Sequence, residues 1–348
     1  MHIINNRPKE EFKEYIGVNW SEPVDHFTEM FYKQNKNQYW VPEEISVPLD
    51  LPSWNKLTQE ERDAYEYALA GLTMLDTIQG NIGMPDIAKA VDNEQRGAVL
   101  YFMASMENIH SESYSTIFQT LSTKERRHEL FEWIKENKHL QYKANTISQY
   151  YEALKEDDSP LSLYKAMVAS VMLESFLFYS GFYYPLYMYG QGKVMQSGEI
   201  INLILRDESI HGVYVGLLAQ EVYKDKLTEE EQEEARQFTI KFMKDLYENE
   251  CRYSDEVYGK VGLSSDVRSF VRYNANKALA NLNYDEYFSE EETEFSAVVL
   301  NGLNTDTKNT DFFSGKINSY TKATVELLQD DDFSGVLDLP QFQDKKEM

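Results

Sequence analysis

The feature that most constrains this chain is a pair of Glu-x-x-His motifs set in stripes of apolar residues. Residues three or four apart lie on one helix face, about 5 to 6 Å apart at Cβ, so both side chains of each motif can reach one metal centre. An ionised Glu on a face that packs into the core is costly unless a cation meets it. The motifs are Glu107/His110 among Val99, Met103, Tyr114 and Phe118, and Glu208/His211 among Ile200, Ile204 and Val215.

Two further Glu-x-x-His pairs, Glu125/His128 and Glu136/His139, lie in segments with charged residues on all sides. We interpret both as solvated helix surface. For any one motif alone, a Glu paired with a His or an Arg inside the bundle is the simpler interpretation, so the argument for a metal needs more than one motif.

Two more carboxylates occupy the same kind of position. Asp76 follows an apolar stripe in LTMLDTIQG, and Glu174 is the single charge in residues 167–190. Each alone could be a satisfied buried polar residue. Together, four helices would each contribute an inward carboxylate, and two would add a histidine one turn later. This set predicts an all-α, ferritin-like helical bundle with a buried dimetal carboxylate site. Its hard carboxylates and imidazoles suit iron or manganese and do not decide between them.

Composition excludes several other classes. The 59 Asp and Glu against 34 Lys and Arg give a net charge of −25, which argues against nucleic acid or an anionic membrane as a partner. Cys251 is the single cysteine, so internal disulfides, zinc-thiolate sites and iron–sulfur clusters are excluded. The polar amino end lacks the apolar stretch of a secretory signal. These properties predict a soluble, cytoplasmic protein.

The chain also has few residues that break helices, with 16 Gly and 9 Pro among 348 residues. Thr58 with Glu61 and Thr228 with Glu231 form capping boxes that open long helical segments. We predict one ferritin-like domain over residues 1–283 and an extended, flexible tail over residues 284–348. The predicted helices cover about residues 58–80, 95–121, 124–138, 160–190, 197–223, 228–258 and 264–283.

Residues 167–190 are long and apolar enough to span a bilayer. Glu174 near the middle of such a span would be costly, and the flanking helices are amphipathic. A buried core helix is therefore the favoured interpretation, with an integral membrane protein as the alternative.

Four segments of the sequence resemble the ligand segments of the ribonucleotide reductase small subunit, most closely its class Ib form. The resemblance runs from about Trp20 to Phe333. It implies that Asp76, Glu107 and His110 hold one metal ion, and that Glu174, Glu208 and His211 hold the other, with some glutamates bridging. The ions would be two iron or two manganese. The segments are LTMLDTIQG, MENIHSESYSTIF, ASVMLESFLFYSGF and LILRDESIHGVYVG.

The resemblance also implies that Tyr114, one helical turn after His110, is oxidised to a stable radical. In isolation this residue could be one of many packing tyrosines, since the chain has 25. Helical spacing from Glu174 and Glu208 supports the assignment, because it places apolar side chains near the metals, where they would keep water and reductants from a radical. These side chains are Phe178, Phe182 and Ile204.

One cysteine cannot supply the redox thiols that ribose reduction needs in this family, so the resemblance implies a separate large subunit that binds substrate. It further implies a radical-transfer path through Trp40, Asp207 and Tyr320. The alternatives for these residues are a core Trp, a salt bridge to Arg206 or another base, and a tail Tyr with no role.

The other implied partners are a flavodoxin-like activator protein, which supplies superoxide to the manganese form, and a second copy of the chain in a homodimer. The sequence departs from related tails after Phe333, where SGVLDLPQFQDKKEM follows, so docking residues beyond Phe333 are not assigned. Two rival functions remain at this point. One is a dimetal oxidase or hydroxylase of the same fold, and the other is a non-enzymatic iron-storage protein.

Overall fold

The computed structural model describes residues 16–303, which form helices and connecting segments without a β-strand. The predicted all-α, ferritin-like fold is confirmed. The α-helices are α1 (His26–Asn37), α2 (Leu51–Trp54), α3 (Gln59–Ile78), α4 (Met84–Ala90), α5 (Glu94–Leu121), α6 (Lys124–Glu136), α7 (Lys138–Ala153), α8 (Pro160–Met172), α9 (Phe178–Gly190), α10 (Met195–Lys226), α11 (Glu229–Tyr258), α12 (Ser264–Asn281) and α13 (Ala297–Gly302).

Local sequence signals set the starts of the long helices. Both predicted capping boxes are present: the side chains of Thr58 and Thr228 accept from the backbone N–H of Glu61 and Glu231, and each Glu reaches back to its threonine. Asn93 caps α5 by accepting from two backbone N–H groups. These caps satisfy donors that a helix start leaves unpaired.

The apolar segment Pro160–Gly190 forms the centre of the bundle, and 83% of its most apolar stretch is buried inside the protein. Its first part, α8, packs on α10, and its last part, α9, packs on α3, α10 and α13. The interpretation of this segment as a core helix is therefore confirmed.

Two of the helical segments that carry predicted metal ligands contain π-helical turns that the sequence analysis did not predict. One turn, Gln79–Gly83, follows the end of α3 and begins three residues after Asp76. The other, Leu173–Leu177, joins α8 to α9 and contains Glu174. Such turns are rare in proteins, and those that occur are often found at functional sites. They change the direction in which nearby side chains point without ending the helix.

Residues 284–303 lie against the bundle. The hydroxyls of Tyr284 and Tyr164 are 2.8 Å apart, and α13 packs on α9. The two helices approach so closely that a Cβ added at Gly190 or at Gly302 would collide with a carbonyl group of the other helix. The tail that we predicted to begin at residue 284 is described only as far as Leu303, and Tyr320 lies outside the described residues.

Candidate metal centre

Six side chains from four helical segments meet in the interior. Each is fully buried, at 0% exposure. Buried carboxylates without a neutralising partner are costly, so their convergence needs a physical reason. The residues are Asp76 on α3, Glu107 and His110 on α5, Glu174 on the second π-helical turn, and Glu208 and His211 on α10.

The six residues form two overlapping groups, each suited to one metal ion. Within each group, one ligand atom from every residue lies within 4.8 Å of the others. Glu107 and Glu208 belong to both groups, which is the arrangement of bridging carboxylates. The first group is Asp76, Glu107, His110 and Glu208, and the second is Glu107, Glu174, Glu208 and His211.

The histidine nitrogens face the carboxylates. His110 Nδ1 lies 2.9 Å from Glu208 Oε1 and 3.6 Å from Glu107 Oε2. His211 Nδ1 lies 2.7 Å from Glu107 Oε1, 3.6 Å from Glu174 Oε2 and 3.7 Å from Glu208 Oε2. Both Nδ1 atoms therefore point into the same space as the glutamate oxygens.

These polar atoms lack the hydrogen bonds that a buried structural cluster would normally have. Both side-chain oxygens of Asp76, Glu107 and Glu208 have no hydrogen-bond partner, and neither do Glu174 Oε2 and Nδ1 of each histidine. Most buried side-chain polar atoms in proteins are hydrogen-bonded. Carboxylate oxygens and imidazole nitrogens that face one another without hydrogen bonds are suitable ligands for two iron or manganese ions.

The electrostatics of the metal-free chain reflect this crowding. Burial would raise the pKa of Glu107, but the close contacts with His110 and His211 lower it to about 2. Burial and then the charge of Glu107 raise the pKa of Asp76 and of Glu208 well above the usual range. Without a cation, burial and like charge therefore disfavour the ionised forms of Asp76 and Glu208.

Behind His110 lies a second layer of hydrogen bonds. Asp207 Oδ2 lies 3.2 Å from His110 Nε2 and accepts a 2.7 Å hydrogen bond from the indole N–H of Trp40. The Trp40 ring stacks on the His110 ring, with centroids 6.2 Å apart. Gln38 Nε2 donates to the other oxygen of Asp207 at 2.7 Å. Trp40, Asp207 and His110 therefore form one continuous buried chain.

The alternative for Asp207, a salt bridge to Arg206, is a weaker contact. Arg206 Nε lies 3.6 Å from Asp207 Oδ1, and a terminal nitrogen of Arg206 donates to the Gln38 carbonyl oxygen at 2.5 Å. Asp207 is fully buried, and its shortest bonds go to Gln38 and Trp40. Arg206 thus supports the segment that carries these two residues.

Tyr114 is fully buried, and its hydroxyl has no hydrogen-bond partner among the described residues. Burial, followed by the charges of Asp76 and Glu208, raises the pKa of its phenol well above the ordinary value. The predicted apolar residues Phe178, Phe182 and Ile204 are also fully buried. Phe178 and Phe182 pack together with ring centroids 6.0 Å apart.

The two histidine pairs that we interpreted as surface lie away from the cluster. His128 is exposed, as interpreted. The side chain of His139 is only 12% exposed, and its Nδ1 lies 3.0 Å from Asn249 Oδ1, so the interpretation as solvated surface is wrong for His139. Sequence reasoning missed Gln38 and Gln79, whose amides bind Asp207 and Glu174. No local signal marks them, because both contacts join residues more than 90 positions apart.

Comparison with known proteins identifies the family of this chain. The sequence profile of the family described as "Ribonucleotide reductase, small chain" matches residues 17–295. The ribonucleoside-diphosphate reductase subunit beta of Bacillus subtilis (strain 168) is 60% identical over 336 residues, which cover 96% of this chain and 99% of that protein. This chain belongs to the ribonucleotide reductase small-chain family.

Other relatives indicate which form of the small chain this is. Ribonucleoside-diphosphate reductase 2 subunit beta of Escherichia coli (strain K12) is 37% identical over 91% of this chain and 98% of that protein. The crystal structure of dimanganese(II)-NrdF from Streptococcus sanguinis has a TM-score of 0.78 and 38% identity, covering 84% of this chain and 100% of that one. The predicted class Ib form is therefore confirmed.

Proposed function

We propose that this chain is the radical-generating small subunit of a ribonucleoside-diphosphate reductase, with Tyr114 as the radical site. The observation that carries the proposal is the double ligand set of unpartnered buried atoms, with a fully buried tyrosine one helical turn after His110. The first ion would be held by Asp76 and His110, the second by Glu174 and His211, and both by the bridging Glu107 and Glu208. When bound, two iron ions with dioxygen as the oxidant, or two manganese ions with superoxide, would supply the oxidising strength that removes an electron and a proton from Tyr114.

The protein's own contribution is to keep the oxidised tyrosine isolated. Tyr114, Phe178, Phe182 and Ile204 are all at 0% exposure, so water and dissolved reductants cannot reach the phenol directly. Burial, followed by the charges of Asp76 and Glu208, raises the pKa of the phenol, which favours a protonated hydroxyl until it is oxidised. Oxidation then removes the electron and the proton together, which leaves a neutral radical in the buried interior.

The radical equivalent would leave by the chain that joins His110 to Trp40. Asp207 accepts from the Trp40 indole and contacts His110 Nε2, so it can hold a proton between the metal site and Trp40. In this proposal Tyr320 continues the path to the catalytic large subunit, and the tail that carries Tyr320 docks there.

A large subunit is the partner that membership of this family requires. The single cysteine supports this division of labour, because one thiol cannot supply the reducing equivalents of ribose reduction. We further propose a flavodoxin-like activator protein for the manganese form, and a cytoplasmic location.

A homodimer is also part of the proposal. An exposed aromatic cluster near the start of the described chain supports it: Trp20 stacks on Tyr32 with centroids 4.5 Å apart, and Tyr32 and Tyr39 each meet Phe102 edge-on. Trp20 and Tyr39 are 44% and 40% exposed. Exposed aromatic patches of this kind often mark protein interfaces.

The proposal is tested by nucleotide reduction with and without the large subunit of the same organism. The metal-loaded chain should support reduction of ribonucleoside diphosphates only when the large subunit is present. Substrate oxidation by the chain alone would favour the oxidase or hydroxylase alternative. Assembly into a large shell that stores iron, with no nucleotide reduction, would favour iron storage.

A further inference from the structure

Gln79 makes a set of contacts that the proposed function does not use. It is fully buried and is the first residue of the π-helical turn after α3. Its Nε2 donates to Glu174 Oε1 at 2.5 Å and to Ser170 Oγ at 2.8 Å. Its Oε1 accepts from the Tyr151 hydroxyl at 2.7 Å. One amide therefore joins α3, α7 and α8 at the edge of the metal centre.

The chemistry of its partners fixes the orientation of this amide. A carboxylate oxygen can only accept, so the group facing Glu174 must be the NH₂ group. The carbonyl oxygen then faces the Tyr151 hydroxyl, which donates to it. A flipped amide would place two acceptors 2.5 Å apart, so Tyr151 and Glu174 select the same rotamer.

The surrounding packing holds the amide in place. Gly83 ends the same π-helical turn, and a Cβ at this position would collide with Gln79 Oε1 and would lie 2.7 Å from a ring carbon of Tyr151. Tyr151 is itself fully buried. The glycine thus permits the close approach of the turn to the Gln79–Tyr151 pair.

The two oxygens of Glu174 are consequently in different situations. Oε1 is held by the Gln79 amide, whereas Oε2 has no hydrogen-bond partner and lies 3.6 Å from His211 Nδ1. Glu174 belongs only to the ligand group that contains His211 and is absent from the group that contains Asp76 and His110. A change in the position of Glu174 should therefore weaken the binding of the ion shared with His211 more than the binding of the other ion.

We propose that Gln79 is a positioning residue that, anchored by Tyr151, holds Glu174 Oε1 and so directs Oε2 to the ion shared with His211. The inference rests on the proposed ligand role of Glu174. Hydrogen bonds from outside the ligand shell orient metal-binding carboxylates, and losing one typically weakens metal binding by about 10- to 100-fold. Here the loss should fall on one of the two ions.

The test is a stepwise Mn(II) titration of the metal-free full chain, followed by calorimetry and by electron paramagnetic resonance of free and coupled Mn(II). Gln79→Leu should weaken one binding step by about 10- to 100-fold and leave the other within about 2-fold, so that a singly loaded form accumulates. Tyr151→Phe keeps the amide but removes its anchor, and should weaken the same step by about 2- to 10-fold.

Two matched variants control for general damage. Gln141→Leu removes an amide that bonds the Ile134 carbonyl oxygen, and Tyr164→Phe removes a buried hydroxyl that contacts Tyr284. Both should bind two Mn(II) ions like the original chain. Circular dichroism verifies folding, and if Gln79→Leu does not fold, Tyr151→Phe decides the question.

The outcomes separate the two proposals. If the original chain binds no pair of Mn(II) ions, the proposed function fails. If it binds two, and Gln79→Leu and Tyr151→Phe bind both as tightly as the controls, the positioning role is wrong. Equal weakening of both steps would also overturn it, because Gln79 contacts a ligand of one group only.

Discussion

Trp40 and Asp207 are joined by a 2.7 Å hydrogen bond, although 167 positions separate them in the chain. The accepting oxygen, Asp207 Oδ2, also lies 3.2 Å from His110 Nε2. One carboxylate oxygen therefore links a buried indole to a histidine of the metal centre. This contact is the part of the proposed transfer path that can be tested separately from radical formation.

Asp207→Asn should separate the two processes. The amide keeps the size of the side chain but cannot hold a proton as the carboxylate does. We expect the Tyr114 radical to form, while nucleotide reduction with the large subunit falls by about 100-fold or more. Radical content and turnover are measured on the same sample, with Asp92→Asn as a control, since Asp92 pairs with Lys226 at the surface. Turnover close to that of the original chain would exclude Asp207 from the path.

The bridging and terminal carboxylates should differ in their effect on metal content. Glu208 belongs to both ligand groups and Asp76 to one. Glu208→Ala should therefore impair the binding of both ions, whereas Asp76→Ala should retain one ion per chain. Metal analysis after removal of loosely bound ions measures this. Equal stoichiometry in the two variants would contradict the bridging assignment of Glu208.

Metal binding should release protons and should strengthen as pH rises. Burial alone would lower the pKa of both histidines. Contacts with Asp207 and Glu107 raise it to about 9 for His110, and contacts with Glu107 and Glu174 raise it to about 10 for His211. These pKa values favour the protonated form of both histidines in the metal-free chain at neutral pH, and a histidine must be deprotonated to bind a metal. The affinity for Mn(II) should thus rise with pH across the neutral range. Calorimetry in buffers of different ionisation enthalpy counts the protons, and a binding reaction without proton release would contradict this account.

Breaking a buried ion pair away from the metal centre should strongly lower the stability of the chain. Lys143 Nζ lies 2.6 Å from Glu250 Oε1 and 3.7 Å above the centre of the Tyr253 ring, and both charged residues are essentially unexposed. Lys143→Met would leave the Glu250 carboxylate unpaired and should lower the free energy of unfolding by about 3 to 5 kcal/mol. Urea denaturation of the metal-free chain measures this. Adding Glu250→Leu should recover most of the loss, and a double variant as unstable as the single one would contradict the explanation.

The convergent carboxylates and histidines and most long helices could be predicted from the sequence because they depend on local periodicity. Glu107 and His110 stand out in an apolar stripe, and the two capping boxes mark helix starts within one residue. Asp76 and Glu174 could be added because each interrupts a similar stripe. Periodicity shows which residues share one face of a helix. That several such faces meet in the interior was inferred from the fold class.

The remaining features depend on contacts between distant segments. Helices α1, α2, α4, α7 and α13 were not predicted. The π-helical turns after Asp76 and around Glu174 were not predicted either, because they depend on how the helices pack. Gln38 and Gln79 are ordinary polar residues in the sequence, and their roles arise only when the fold brings them to Asp207 and Glu174. The contact of Arg206 with the Gln38 carbonyl oxygen has the same origin.

The central claim is that the metal centre oxidises Tyr114. Its most direct test is electron paramagnetic resonance of the chain loaded with iron or manganese and exposed to oxidant, compared with Tyr114→Phe treated identically. The original chain should give a radical signal whose hyperfine structure narrows when the protein contains ring-deuterated tyrosine. Tyr114→Phe should bind the same amount of metal and give no such signal. An undiminished tyrosyl signal in Tyr114→Phe would contradict the assignment.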